Sequence, residues 1–332
     1  MSGTACPVPA RTIFSTAGLP AARRTELWED HNAAALIGLR CHPAGPDPLE
    51  ATEVNIRAGQ IDLAQVAGSA HVVERSGEII RRSPADAIAV YITLRGDAWF
   101  ETCDGTRALR PGHLLLCDAD RPFARGFSRG LEELAIKVPR SAFAESIGLM
   151  SLRSPAIAGF GRGADPHARA LAALVGRAVR AQRAIPADER AVAELVAVLA
   201  TGRGTDPAIA HRAAARSFIE AHLPDPGLTA SQVAAAVGIS ERHLSRVFAA
   251  AGTSLPRHVL SRRLQLAYAL LTDLTGPRWT VAEVAAQCGF TSATYFSHVF
   301  REHFGQRAGG IQRQARAPQR PAPPAPSSAA VR

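Results

Sequence analysis

The chain has 332 residues, 47% of them hydrophobic, and a formal net charge of +9 at pH 7. It is long enough to bury a substantial core, and its length predicts two domains. Its five cysteines form no C-x-x-C pair, which argues against a disulfide framework and favours a reduced, cytoplasmic chain. The first residues do not resemble a signal peptide, and the longest apolar run, 191–200, is too short to cross a membrane.

The positive charge is concentrated in the C-terminal part of the chain. Residues 206–332 contain 14 arginines and 7 acidic residues, a net charge of +7, whereas the remainder contains 24 basic and 22 acidic residues, a net charge of +2. An excess of positive charge on one segment is what a polyanionic partner requires. The distribution therefore favours nucleic-acid binding by the C-terminal part.

The N-terminal part is predicted to be rich in β-strands. The first 20 residues are expected to be irregular, with 1–13 as an arm, and a helix is predicted over 21–35 with Leu27, Trp28 and Ala34 facing inward. From 52 to 137, short runs of β-forming residues alternate with turn dipeptides, which predicts an antiparallel barrel or sandwich. The predicted strands are 61–66, 71–74, 88–94, 98–102, 113–117 and 131–138.

Three helices are predicted after the strands, over 139–147, 165–183 and 187–200. One hypothesis is that the apolar stripe Leu171, Leu174 and Val175 forms a symmetric dimer contact, and the alternative is that it packs on the strands. The Gly-containing stretch 201–207 predicts a boundary between domains 14–205 and 206–314. The tail 315–332 is rich in Pro, Ala and Ser and is predicted to be disordered.

The second domain contains an internal repeat, in which each copy predicts two helices joined by a tight turn. A residue that caps the first helix, a glycine that ends it and a residue that caps the second helix recur in both copies. These residues are Thr229, Gly238 and Ser240 in the first copy and Thr280, Gly289 and Thr291 in the second. The residues predicted to be buried are Val233, Ala234, Val237, Leu244, Val247 and Phe248 in the first copy and Val284, Ala285, Cys288, Phe296, Val299 and Phe300 in the second.

The opposite face of each second helix carries polar and basic side chains. A helix that enters the major groove of DNA presents such residues to base edges and phosphates. The alternative is an ordinary helical bundle with a solvated face, but matching caps, glycines and core residues in two copies favour the first interpretation. The predicted DNA-binding residues are Arg242, Ser245, Arg246, Ala293, Thr294, Ser297, His298 and Arg301.

Residues 213–304 resemble the DNA-binding domain of the AraC/XylS family of bacterial transcription regulators. The matching segments are Gly238-Ile-Ser-Glu-Arg-His-Leu-Ser-Arg-Val-Phe248, Gly289-Phe-Thr-Ser-Ala-Thr-Tyr-Phe-Ser-His-Val-Phe300 and, for the linker helix, Leu260-Ser-Arg-Arg-Leu-Gln-Leu-Ala267. The resemblance implies two helix-turn-helix units on a rigid linker, which reach successive major grooves. After Phe304 the chain lacks the family's Ser/Thr-Pro pair, so the sequence leaves open whether the family's final helix forms.

Residues 14–140 resemble the cupin-like sensor domain that often precedes such DNA-binding domains. The matching segments are Ala17-Gly-Leu-Pro, Trp28, Pro111-Gly-His-Leu-Leu-Leu-Cys-Asp118 and Arg121-Pro122. The resemblance implies a domain that senses a small molecule and contributes to dimerisation. The expected fold class is α+β, with a cupin-like antiparallel β-barrel and flanking helices, followed by an all-α domain of two helix-turn-helix units.

One candidate effector site lies on the predicted strand 88–94. Alternation places Tyr91 and Thr93 on the side opposite the aliphatic residues, and Trp99 follows a turn that puts it within cross-strand reach of them. The hypothesis is that Tyr91, Thr93 and Trp99 line a barrel mouth that binds a small, partly polar molecule, with an arginine as its counter-charge. The alternative is that these are ordinary core or surface residues.

The predicted function is a ligand-responsive activator of a nearby catabolic or metabolic operon, whose partners are double-stranded DNA, an effector, RNA polymerase and a second copy of the chain. Two alternatives remain, a ligand-independent repressor, favoured by a filled N-terminal core, and a cupin-class enzyme fused to a DNA-binding domain. His71, Glu74 and His113 do not form the ligand cluster of metal-dependent cupins, and no nucleophile or phosphate-binding motif occurs. We expect no enzymatic activity, metal or cofactor.

Overall fold

The computed structural model describes residues 11–147, 152, 154–181, 187–202, 206–274 and 277–316. The rest of the predicted arm and almost all of the predicted tail lie outside the described residues. An N-terminal part of two antiparallel sheets with flanking helices precedes a helical C-terminal part. The predicted α+β class is confirmed, and the expected barrel takes the form of two facing sheets.

The larger sheet has seven strands in the order β1-β3-β4-β11-β6-β9-β12, and the smaller has five in the order β2-β5-β10-β7-β8. The strands are β1 (Arg11–Ser15), β2 (Arg40–Pro43), β3 (Ala51–Ala58), β4 (Ile61–Gly68), β5 (His71–Arg75), β6 (Ala87–Arg95), β7 (Ala98–Thr102), β8 (Gly105–Leu109), β9 (His113–Asp118), β10 (Phe123–Phe127), β11 (Leu131–Pro139) and β12 (Ala156–Gly159). Apolar side chains from both sheets share one core, so the two sheets form a sandwich.

All six predicted strands are present, as β4, β5, β6, β7, β9 and β11. Strands β3 and β10 were missed because each carries a buried charged residue, Glu53 and Arg125, where an inward-facing position is normally apolar. Strand β8 is exposed until Leu109 and so has no apolar alternation. Strand β1 falls in the region predicted to be irregular, and it pairs with β3 along its whole length.

Among the described residues, six helices accompany the sandwich, in addition to a short 3₁₀ turn, Ala21–Arg23. They are α1 (Arg24–Ala35), α2 (Gly77–Arg82), α3 (Arg140–Ile147), α4 (Pro166–Arg180), α5 (Glu189–Thr201) and α6 (Pro207–His222). Helix α1 places Trp28 in the sandwich core as predicted, but Ala34 is exposed and Asn32 is buried in its place.

Helices α3, α4 and α5 cover the outer face of the seven-stranded sheet. The stripe Leu171, Leu174 and Val175 on α4 is at most 3% exposed, because it packs in that second core. The hypothesis that this stripe forms a dimer contact is therefore wrong, and the alternative, packing on the strands, is confirmed.

The C-terminal part consists of α7 (Ala230–Val237), α8 (Glu241–Ala250), α9 (Leu255–Thr272), α10 (Val281–Gln287), α11 (Ala293–Phe304) and α12 (Ala308–Arg316). Helices α7 and α8 share one core with α6, and α10, α11 and α12 share another with α9. The predicted linker helix is α9. The question left open by the missing proline is answered by α12, which forms and buries Ala308 and Ile311.

Helix α6 belongs to both parts of the molecule. Its Ala213 packs in the core beneath the seven-stranded sheet, whereas Ala215 and Ile219 pack against α7 and α8. Glu194 of α5 is 6% exposed and accepts hydrogen bonds from Arg212 Nε at 2.7 Å and Arg216 Nη1 at 3.0 Å. The first helix pair is therefore fixed to the N-terminal part by apolar and ionic contacts.

A second contact joins α5 to the linker helix. Asp188 caps α5, and its Oδ2 lies 3.4 Å from Nε2 of His258 on α9. Burial lowers the pKa of His258 to about 4, so its ring is neutral at pH 7 and the contact is not an ion pair there.

Candidate nucleic-acid interface

The first helix pair has a closed turn between α7 and α8. Thr229 and Gln232 form a reciprocal capping box that satisfies free amides at the start of α7. Gly238 ends α7 with φ at 77°, a left-handed conformation that glycine adopts without strain. The hydroxyl of Ser240 then accepts a hydrogen bond from the His243 amide and starts α8. This is the predicted helix-turn-helix arrangement.

The second pair repeats these features with one change. Thr280 and Glu283 form the same capping box, and Gly289 has φ at 78°. The cap of α11 is Ser292, whose hydroxyl accepts from the Tyr295 amide, and not Thr291 as predicted. The turn is therefore one residue longer in the second copy, which shifts the correspondence between the two helices.

With that shift, the second helices of the two pairs match position by position. Arg242 corresponds to Thr294, Ser245 to Ser297 and Arg246 to His298. The core residues of these two second helices correspond in the same way, and all six are buried. Val237, predicted to be buried in α7, is only partly buried. The eight predicted DNA-binding residues are all exposed: Arg242, Ser245, Arg246, Ala293, Thr294, Ser297, His298 and Arg301.

The two exposed faces differ in chemistry. On α8, Arg242 and Arg246 offer long cationic side chains with several donors each. On α11, Ser297 donates its hydroxyl to the carbonyl of Ala293 at 2.8 Å, and His298 lies 3.9 Å from Glu302. The first face is therefore suited to phosphates and guanine edges, and the second is smaller and closer to neutral.

The linker helix holds the two pairs together. Arg262 of α9 donates to both carboxylate oxygens of Glu220 on α6, at 2.6 and 3.0 Å. Arg263 donates from Nε to the carbonyl of Leu223 at 3.0 Å and lies beside Gly289 of the second turn. These contacts join α6, α9 and the second helix pair into one framework.

Sequence reasoning missed the residues that flank the two exposed faces. His243 of α8 is half-buried and contacts His211 of α6, and Tyr295, at the corresponding position of α11, is 55% exposed. The only signal was that both lie between the core stripe and the polar face. A single-helix projection does not reveal which neighbouring helix such a residue meets.

The interior of the sandwich contains a buried ion pair. Arg125 donates to both carboxylate oxygens of Glu133, at 3.0 and 2.6 Å, and its guanidinium lies 3.6 Å from the centre of the Tyr91 ring. Tyr91 is 6% exposed and Thr93 is 2% exposed. Tyr91 and Thr93 thus face the interior, opposite the aliphatic residues, but the arginine near them already has a carboxylate partner.

Two family models match this chain. The one described as a helix-turn-helix domain matches residues 233–314, and the one described as an AraC-binding-like domain matches residues 28–231, more than half of the chain. The chain belongs to the AraC family.

Two proteins are compared with this chain by sequence and a third by structure. The transcriptional activator NphR of a Rhodococcus species is 28% identical over 270 residues, which cover 76% of this chain and 77% of NphR. An uncharacterized protein from the nit 5′ region of Bacillus sp. (strain OxB-1) is 26% identical over 252 residues, 71% of this chain and 97% of that protein. The crystal structure of the AraC-like transcriptional activator CuxR aligns with a TM-score of 0.49 at 20% identity, covering 78% of this chain and 96% of CuxR.

Trp99 does not join Tyr91 and Thr93 in the AraC-binding-like domain. Strands β6 and β7 lie in different sheets, so these residues are not cross-strand neighbours. Trp99 alternates with inward-facing Ala98 and Phe100, and its indole covers Gly126 on the outer face of the smaller sheet. The three residues of the predicted effector site therefore do not form one surface.

The AraC-binding-like domain does contain a cavity of about 320 Å³, between the ends of β7 and β9 and the start of β10. Its apolar lining includes Phe100 and Phe123, whose ring centres are 5.6 Å apart, together with Cys117 and Leu152. Burial raises the pKa of the Cys117 thiol to about 12, so it is neutral and unreactive. The polar residues that line the cavity include Thr102, Asp104, Asp118, Arg121 and Ser154.

In the described part of this AraC-family chain, no group of three or more His, Cys, Asp or Glu side chains is arranged to hold a metal ion. Nor does any helix among those residues have the length and apolar character needed to span a membrane.

Proposed function

We propose that this AraC-family protein is a ligand-responsive activator of transcription that binds DNA through both of its helix-turn-helix units. The observation that carries the proposal is the pair of capped, glycine-closed units, each with an exposed polar face on its second helix. The segment that holds them also carries most of the net positive charge. Arginine contacts to phosphates would supply affinity, and the two faces would supply sequence choice.

The difference between the faces favours an asymmetric binding site. Arg242 and Arg246 on α8 can each donate two hydrogen bonds to a guanine, whereas Thr294, Ser297 and His298 on α11 offer shorter side chains. We therefore expect two different half-elements about one helical turn, roughly 10 base pairs, apart. The first unit should contribute more of the affinity.

The effector is proposed to occupy the cavity lined by Phe100 and Phe123. The site predicted from the sequence is not retained, because Tyr91 and Thr93 are separated from Trp99. The cavity has the size and apolar lining of a small-ligand site with a few polar groups. The packed interior near Tyr91 by itself favours the ligand-independent alternative. An increase in the melting temperature of the full chain with phenol or benzoate would support the cavity, and no increase with either single-ring probe would favour that alternative.

The activator role, the contact with RNA polymerase and the second copy of the chain are proposed from the family, in which NphR and CuxR are named as activators. The family also favours a regulator that catalyses no reaction. Light scattering of the full chain tests the dimer, because a monomer at tens of micromolar would contradict it.

The DNA-binding role is tested by binding-site selection with the full chain and its Arg246→Ala variant. Arg246→Ala should weaken binding by about 1–3 kcal/mol and relax the preference at one base pair. Affinity should also fall steeply with salt. Arg82→Ala, which removes an exposed arginine from α2 of the N-terminal part, is the matched control and should change neither property.

Two results would contradict the proposal. If the full chain bound duplex DNA no more tightly than it binds other polyanions, the proposed sequence-specific role would be contradicted. A selected site that is a perfect palindrome contacted by one unit per copy would remove the asymmetric arrangement of the two units.

A further inference from the structure

Three side chains on two helices form a continuous hydrogen-bonded chain. Arg246 Nη2 lies 2.9 Å from Nδ1 of His243, and His243 Nε2 lies 3.2 Å from Nδ1 of His211. An arginine can only donate, so Nδ1 of His243 accepts and its neutral ring carries the proton on Nε2. That proton is donated to His211. In both hydrogen bonds the donor is therefore on the side of Arg246, and the acceptor is on the side of α6.

His211, the last residue of this hydrogen-bonded series, lies on a firmly packed helix. His211 lies on α6, whose Ala215 and Ile219 are fully buried against α7 and α8. The two imidazoles meet edge to face, with ring centres 5.2 Å apart and planes at 85°. Rotation of the His211 ring would break the hydrogen bond between the imidazoles, and rotation of the His243 ring would break both bonds. The guanidinium of Arg246 is therefore tied to a packed helix.

The other arginine of the same face has no such restraint. Within the part of the chain that the structure describes, Arg242 makes no side-chain hydrogen bond or ion pair. Arg246 uses one of its five N–H donors on His243, and the four that remain include the two needed for a guanine edge. One face thus presents one restrained and one unrestrained arginine.

We propose that His243, with His211 behind it, is a positioning residue that orients Arg246 and sharpens its choice of base. A free arginine side chain loses rotamer entropy when it is fixed against a base, whereas a restrained one has lost part of it beforehand. The binding free energies for the correct and the incorrect base then differ more, because the restrained guanidinium does not reorient toward another acceptor. The inference rests on the proposed DNA-reading role of Arg246.

The restraint exists only while both imidazoles are neutral. A proton on Nδ1 of His243 removes the acceptor and puts a positive charge beside Arg246, and a proton on Nδ1 of His211 removes the acceptor behind it. Burial, followed by the charges of His243 and of His167 on α4, lowers the pKa of His211 and so keeps that ring neutral. Asp165, whose carboxylate is 3.4 Å from His167, is the acidic group on that side.

This arrangement separates a positioning role from a purely structural one. Loss of the restraint should lower the preference at the base that Arg246 reads, because the guanidinium is then free to reorient. A residue that only supports the fold would weaken binding to all sequences in parallel.

The test is binding-site selection with the full chain at about pH 8, comparing His243→Ala and His211→Ala with Arg246→Ala. Both histidine variants should relax the preference at the base pair that Arg246→Ala affects, by about two- to twelve-fold, the change that corresponds to one net hydrogen bond. His243→Gln should restore it, because the amide oxygen can accept from Arg246 and the amide nitrogen can donate to His211. The position affected by Arg242→Ala should be unchanged in the histidine variants.

Different failures have different meanings. If Arg246→Ala changes one position while both histidine variants leave that position unchanged, the positioning role is wrong and the DNA-reading role stands. If Arg246→Ala itself changes no position, the DNA-reading role of Arg246 is wrong and the positioning role falls with it. If the histidine variants weaken all sequences equally, the histidines support only the fold and the proposal is overturned.

Discussion

Replacing Glu133 by glutamine removes the charge that balances Arg125 inside the sandwich. The two side chains are only 2% and 5% exposed, and two short hydrogen bonds join them. The neutral variant would leave a guanidinium buried against the ring of Tyr91 without its carboxylate. Removing one partner of such a pair costs about 3–5 kcal/mol. We therefore expect Glu133→Gln to lower the free energy of unfolding of the N-terminal part by that amount.

Denaturant unfolding followed by tryptophan fluorescence measures this cost, because Trp28 lies in the sandwich core. The matched control is Glu78→Gln, which breaks a pair whose side chains are 70% and 71% exposed and should cost less than about 1 kcal/mol. The double change Arg125→Met with Glu133→Leu should cost much less than Glu133→Gln alone, because no unpaired charge is left.

A Glu133→Gln variant as stable as Glu78→Gln would refute the reasoning. It would mean that water or another anion reaches Arg125 inside the sandwich. Arg125 would then be available as a counter-charge for an effector, a role that the sequence-based hypothesis gave to an unspecified arginine.

Three further predictions concern stability. Burial holds the pKa of His258 at about 4 in the folded protein, so as pH falls this histidine is protonated in the unfolded chain before it is protonated in the folded one. The free energy of unfolding should therefore drop by up to about 3 kcal/mol between about pH 6.5 and pH 4. His258→Asn should flatten that part of the curve of melting temperature against pH. Burial raises the pKa of Glu53 to about 7 in the folded protein, so the free energy of unfolding should drop as pH rises from about 4.5 to about 7. If a Glu53→Gln variant kept this drop, another group would be its cause. Gly238→Ala should destabilise the first unit by roughly 1–2 kcal/mol through left-handed strain alone, because nothing lies within 4 Å of the added Cβ. Gly289→Ala should destabilise the second unit by more, because its Cβ would lie 2.7 Å from the carbonyl oxygen of Leu223. Equal losses of stability in melting experiments would argue against this contact.

The sequence predicted the helix-turn-helix units well because their signals are local. A cap, a closing glycine and an apolar stripe lie within a few turns of one another, so each unit can be recognised without its surroundings. The cap of α11 was misplaced by one residue because Thr291 and Ser292 are adjacent and both can cap a helix. The exposed faces could be predicted, but the contact of His243 with a distant helix could not.

The candidate effector site was harder to predict because it depends on how strands far apart in sequence pair. The turn at 96–97 looks like a hairpin turn, yet β6 pairs with β9 and β11, and β7 pairs with β8 and β10. Arg125 and Glu133 meet only after both sheets have formed, so neither could be recognised as the partner of the other. The cavity likewise is formed by the ends of strands that sequence alone does not bring together.

The double role of α6 has a consequence for the construction of chimeric regulators. A hybrid cut at the predicted boundary, before residue 206, would join α5 of one parent to α6 of another and leave Arg216 buried without Glu194 unless both parents carry the same pair. A cut after α6 would instead separate Ile219 from the helices that it packs against. A functional exchange of binding specificity should therefore keep α5 through α8 from a single parent, or replace only side chains on the exposed faces of α8 and α11.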